Sequence, residues 1–76
     1  MNSKNREILK YLVDNKQGNI INIDLFILET IFKIDHNEID DILQQFKISG
    51  YIYFPDAIGA YRSITIKSKA IEFIHS

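Results

Sequence analysis

Apolar residues in this chain return at two different periods, and the change of period divides it into helices and strands. Ile8, Leu9, Leu12 and Val13 lie at the spacing of one face of a helix. They predict a first helix from about Lys4 to about Lys16, with the Ser3 hydroxyl as N-cap for an unpaired first-turn amide. Gly18, within the polar stretch DNKQGN, is expected to supply the left-handed conformation that closes this helix. The short NII that follows can pair as a small strand. A second helix is predicted after Asn22 or Asp24, either of which can cap it, with the body LFILETIF. Leu25, Phe26, Ile27, Leu28, Ile31 and Phe32 cover more than one face of that body, whereas a surface helix normally carries one apolar stripe. The pattern therefore puts this helix either at the centre of the core or against another chain.

KID reads as a tight turn before a third helix. Asp35 followed three residues later by Glu38 has the form of a capping box, with Asp in place of Ser or Thr. Ile39, Ile42, Leu43 and Phe46 make its inward stripe, and Gly50 ends it. From Tyr51 the period drops to two. YIYF and AYRSITI, rich in aromatic and β-branched residues, read as strands joined through Pro55, Asp56 and Gly59. Alternation sends Ile52, Phe54, Ile64 and Ile66 inward, and Tyr51, Tyr53, Tyr61, Ser63 and Thr65 outward. KSKAIEFIHS closes the chain as a short helix whose Ile71 and Ile74 reach the core. The expected fold class is α+β, mainly α, in one domain over residues 1–76.

Three helices, a two-stranded β-hairpin and a short C-terminal helix, with NII as a third short strand, resemble the winged-helix form of the helix-turn-helix fold. The resemblance is most specific from Ile23 to Ile52. There the second helix, the turn KID, Ile39, Leu43, Phe46 and the ending GYI fall at the family's spacing. The tail YRSITIKSKAIEFI is similar to the second wing strand and closing helix of small bacterial and phage winged-helix proteins. One departure is that Ile27 and Leu28 stand where the family commonly holds a small residue. The resemblance implies binding of double-stranded DNA, with the third helix in the major groove and the wing against a neighbouring backbone. Carried over by position, the outward side chains are His36, Asn37, Asp40, Asp41, Gln44, Gln45 and Lys47. The amides of Asn37, Gln44 and Gln45 suit an adenine edge, while Lys47, Arg62 and Lys67 suit phosphates. Arg62 is the best single contact, because a guanidinium can grip a phosphate with two hydrogen bonds.

Charge cuts against that reading. The net charge is −1, and it is unevenly spread: +1 over residues 1–34, −3 over 35–50 and +1 over 51–76. The acidity sits in the third helix. Asp35 and Glu38 suit the positive end of the helix dipole, but Asp40 and Asp41 lie beyond the first turn and would be repelled by phosphates. Such a ridge suits a protein partner with a basic surface.

Composition adds a second consideration. Apolar residues make up 46 % of 76 residues, and there is no cysteine to form a disulfide or a thiolate zinc site. A core this small is marginal alone, so homodimerisation is expected as extra buried area. Phe26, Tyr51, Tyr53 and Tyr61 are the apolar interface candidates, joined by Asp40 and Asp41 for a basic partner. The tyrosines can equally pair across strands on an open sheet face.

No apolar run approaches the roughly 20 residues of a membrane span, and MNSKNREILK lacks a signal-peptide core. A cytoplasmic protein without membrane contact is expected. His36 and His75 lie on different elements, without a phosphate loop or nucleophile motif, and Asp35, His36, Asp40 and Asp41 match no metal-binding loop. Neither enzymatic activity nor a metal or cofactor is expected. The sequence thus reads as a small DNA-binding transcriptional regulator, dimeric. Its alternative is a winged-helix interaction module, a phage-type inhibitor or adaptor that uses the acidic third helix and the tyrosines.

Overall fold

The computed structural model describes residues 1–56 and 59–76. Among them four helices and a three-stranded antiparallel sheet make an α+β domain that is mainly helical. Helix α1 (Ser3–Asp14) buries Ile8, Leu9, Leu12 and Val13, the predicted stripe. Its cap differs from expectation. The Asn2 side chain, not Ser3, accepts from the Asn5 amide, so the helix starts one residue earlier. Gly18 does adopt a positive φ of 64°, but it does so in a tight turn in which Gln17 and Ile20 exchange backbone hydrogen bonds. The helix has already ended at Asn15, whose side chain and backbone both donate to the Tyr11 carbonyl.

Strand β1 (Ile20–Asp24) is longer than the NII segment suggested, and it runs directly into α2 (Leu25–Phe32). Asp24 ends one and caps the other, accepting from the Phe26 amide at 2.9 Å. In α2 only Leu25 and Leu28 are buried. Leu28 packs into the core while Ile27 points outward, so of these two bulky residues only one reaches the interior. Lys33 closes α2 in the left-handed conformation, φ 56°. Asp35 then caps α3 (His36–Ile48), accepting from the Glu38 amide at 2.8 Å. That is half of a capping box. The Glu38 carboxylate turns instead to the Lys4 ammonium of α1, 2.6 Å away.

The end of α3 is closed by its own backbone. The Tyr51 amide donates to the Phe46 carbonyl and the Gly50 amide to the Lys47 carbonyl, with the rings of Phe46 and Tyr51 edge to face. This is the Schellman arrangement, and it requires the φ of 81° that Gly50 adopts. A Cβ at Gly50 would meet nothing closer than 4.0 Å, so the cost of adding one is purely conformational. Gly50→Ala is expected to cost about 1 kcal/mol, the price of a left-handed alanine. For a domain this size that is a fall of roughly 4–8 °C in Tm, read by circular dichroism.

Strands β2 (Ile52–Tyr53) and β3 (Tyr61–Ile66) complete the sheet in the order β1-β3-β2. The central strand is therefore the latest of the three in sequence, held on one side by Ile20–Asp24 and on the other by Ile52–Tyr53. Its burial alternates strictly, with Arg62, Ile64 and Ile66 inward. The closing helix α4 (Ser68–His75) lays Ala70 and Ile74 against α1, while Ile71 is only partly buried. One core results, built from both sides of the helical layer and the inner sheet face.

Candidate nucleic-acid interface

A 13-residue helix with one buried stripe leaves a ridge toward solvent. On α3 that ridge follows Asn37, Asp41, Gln44 and Ile48 at helical spacing, with Gln45 beside it. Asn37, Asp41, Gln45 and Ile48 are exposed and Gln44 is half-buried. Ile48 is the most exposed large apolar residue of the chain's described part, at 76 %. The three amides are thus brought to one side of one rigid element. Their side chains make no hydrogen bond within the protein among the described residues, so donors and acceptors are available to a ligand.

The carboxylates of α3 do not share that freedom. Glu38 is paired with Lys4 and Asp35 is consumed as a cap. Asp40 borders the buried stripe, three residues before Leu43, and its carboxylate lies 3.2 Å from a guanidinium nitrogen of Arg62. Only Asp41 remains as an unpaired acid on the ridge. Two of the four carboxylates, Glu38 and Asp40, are thus met by cations from neighbouring elements.

Arg62 is the residue whose placement departs most from expectation. It is 6 % exposed, at the centre of β3 on the inner face. Its guanidinium donates to the Gly59 and Tyr61 carbonyls and to Asp40, and it lies 5.9 Å from the centre of the Phe54 ring. Burial of a charge is tolerated only with such partners. In this position the guanidinium ties the sheet to α3 and has no open side for a phosphate. Parity carried the signal: Arg62 is two and four residues from Ile64 and Ile66, and so shares their face.

The other cations are also engaged. Lys47 lies 3.6 Å from Asp56 and over the Tyr53 and Phe54 rings. Lys10 bonds Asp14 one turn on, and that hydrogen bond, followed by the charge attraction, raises the ammonium's pKa. Lys69 reaches the Ser49 carbonyl at the end of α3 and covers the Tyr51 ring. Arg6 donates to the Ile74 carbonyl. Lys67 is exposed at the start of α4, at the far end of β3 from Arg62, so the two do not form one basic strip. Exposed pairs such as Lys4–Glu38 are worth about 0–1 kcal/mol and can be exchanged for other partners.

The tyrosines separate. Tyr53 and Tyr61 are exposed on the outer sheet face, but Tyr53 stands opposite Thr65 and Tyr61 opposite Asp24, so they are not a cross-strand pair. Tyr51 precedes β2 and is half-buried between the rings of Phe46 and Phe73. It is mainly a packing residue. Phe26 is 64 % exposed on the outer face of α2. Among the described residues no three histidine, aspartate or glutamate side chains gather to hold a metal ion. No helix among them is long and apolar enough to cross a membrane.

Comparison with known proteins identifies no relative: no family model matches the chain, and neither does any curated protein or solved structure.

Proposed function

We propose that this chain is a winged-helix protein that binds double-stranded DNA as a transcriptional regulator, presenting the outer ridge of α3 to the major groove. The order α1–β1–α2–α3–β2–β3, with β3 between β1 and β2, supports the winged-helix assignment. The observation that carries the DNA reading is the pairing of acids around α3. With Glu38 held by Lys4 and Asp40 by Arg62, the ridge offers the amides of Asn37, Gln44 and Gln45 with one unpaired carboxylate. Amides of this kind form paired hydrogen bonds to adenine, and a lone carboxylate accepts from a cytosine amino group.

Phosphate contacts then fall to Lys67 and cations released from exposed pairs, while Arg62 acts from inside. Fluorescence anisotropy on mixed duplex DNA at about 50 mM salt is expected to show binding that weakens steeply by 200 mM. Lys67→Ala should lower the slope against log salt by about 1, and Gln44→Ala should cost about 1–3 kcal/mol at one base position only.

A second reading is favoured by the same cations. Lys4, Lys10, Lys47 and Arg62 each sit against a carboxylate, which leaves little positive surface for a polyanion. Under that reading the chain is an interaction module in which Asp41, Tyr53 and Tyr61 meet a basic protein surface. Absence of any DNA binding at low salt sinks the first reading and leaves this one.

A further inference from the structure

Among the described residues nothing covers the outer face of α2. Phe26, Ile27 and Ile31 are exposed at 64 %, 45 % and 47 %, and Thr30 lies between them. Positions 26, 30 and 27, 31 form two parallel ridges four residues apart, with a shallow groove of about 270 Å³ along them. Through Ile31 this face continues into a second groove between α1 and α2, lined by Glu7, Lys10, Tyr11, Asp14 and Phe32. Leaving three large apolar side chains in water forgoes their transfer free energy, in a small domain that has no disulfide to compensate.

We infer that this face is a homodimer interface in which two α2 helices cross antiparallel about a two-fold axis that passes between Ile27 and Thr30. The charges at the two ends of α2 select a second copy over a foreign chain. Asp24 stands at the amino end, and Lys33, exposed in its left-handed turn, at the carboxyl end. Among the described residues Lys33 enters no ion pair. Between these ends the outer face carries no charge. An antiparallel pair of identical helices brings Lys33 of each copy to Asp24 of the other and opposes the helix dipoles favourably. The same operation sets Phe26 against the partner's Ile31 ridge and seats its ring beside the small Thr30. A standard interface takes about 800 Å² from each partner. The α2 face alone is smaller than that, and the groove shared through Ile31 extends it onto α1.

Sedimentation equilibrium is the test, and it does not depend on DNA. The wild-type chain is expected to be dimeric at about 100 µM and to dissociate on dilution, as interfaces at the small end do. Phe26→Glu should weaken association at least about thirtyfold, the effect of losing a central aromatic anchor. Because Phe26 is exposed, its helical circular dichroism should be unchanged; Phe26→Ser checks this with a smaller side chain. Lys33→Glu, which places like charges together at both ends, should weaken the dimer several-fold, less so at 1 M salt. A monomer up to 500 µM overturns the proposal. So does a dimer that Phe26→Glu leaves intact, or one that Lys33→Glu tightens. DNA binding by a monomeric Phe26→Glu chain would leave the proposed function standing while the interface stood or fell on its own.

Discussion

Asp40→Ala is expected to lower the unfolding free energy by about 2–4 kcal/mol, far more than a carboxylate near a helix surface usually contributes. The reason lies in its partner. Arg62 is almost fully buried, and its Nε already has no hydrogen-bond acceptor. Removing Asp40 strips the only counter-charge among the described residues from a guanidinium whose side chain is 7 % exposed. The reverse deletion is gentler. Asp40 keeps 36 % of its side chain exposed, so once Arg62 is gone its carboxylate can be hydrated. Arg62→Met, which retains the apolar stem, is therefore expected to cost about 0–2 kcal/mol, less than the usual cost of breaking a buried pair because the carboxylate left behind is hydrated. Asp41→Ala, a truly exposed change, should stay within about 0.5 kcal/mol. Urea titrations of the three variants measure the asymmetry directly. Equal small losses for Asp40→Ala and Asp41→Ala would mean that the Arg62 pair contributes no more than a surface pair. The pair also decides how binding data are read: an Asp40 variant with altered affinity has first lost its connection between sheet and α3.

Phe54→Ala should be the most damaging single core change, at about 3–5 kcal/mol. Native stability runs at roughly 0.05–0.15 kcal/mol per residue, so a 76-residue chain has little to spare and this variant should be substantially unfolded at 37 °C. Phe54 is the largest of the fully buried side chains. Its ring is also the surface on which Lys47 and Arg62 rest, with centres at 4.9 Å and 5.9 Å. Phe54→Leu keeps most of the volume but gives the two cations no aromatic face. Its cost should exceed an ordinary volume-conserving swap by about 0.5–1 kcal/mol per cation. Combining Phe54→Leu with Arg62→Met in a double-mutant cycle isolates that term, and a coupling energy of zero would remove the cation–ring contact from the account.

How far the sequence could be read depends on which residues are asked. Where one periodicity governs, it was sufficient: Leu25–Phe32 and the stripe Ile39, Ile42, Leu43, Phe46 fall where predicted. So does the alternation of Ile52, Phe54, Ile64 and Ile66. Caps were less legible, because Asn2 and Ser3 are both good acceptors and only the backbone path of Met1–Ser3 decides between them. The candidate site was least legible. Its decisive fact is that acids and bases far apart in sequence meet: Lys4 with Glu38, Asp40 with Arg62, Lys47 with Asp56. Summing charge along a segment cannot register such pairs, so α3 looked more acidic than the surface it presents. Arg62 was the partial exception. Its inward parity was readable, but an arginine near an expected hairpin suggests phosphate strongly enough to mask it.

The position of β3 has a consequence for how the chain is made. Ile20 waits for Thr65, Asp24 for Tyr61 and Tyr53 for Thr65, so neither outer strand has a neighbour until residues 61–66 exist. During synthesis the helical segments can collapse on one another early through their local contacts, while Ile21 and Ile23 stay without their sheet. A chain stalled before Tyr61 would carry unpaired strand edges of the kind that associate with other chains. The latest-made of these three strands is thus the one that covers the edges of the other two, and Arg62 arrives with it, joining the sheet to α3.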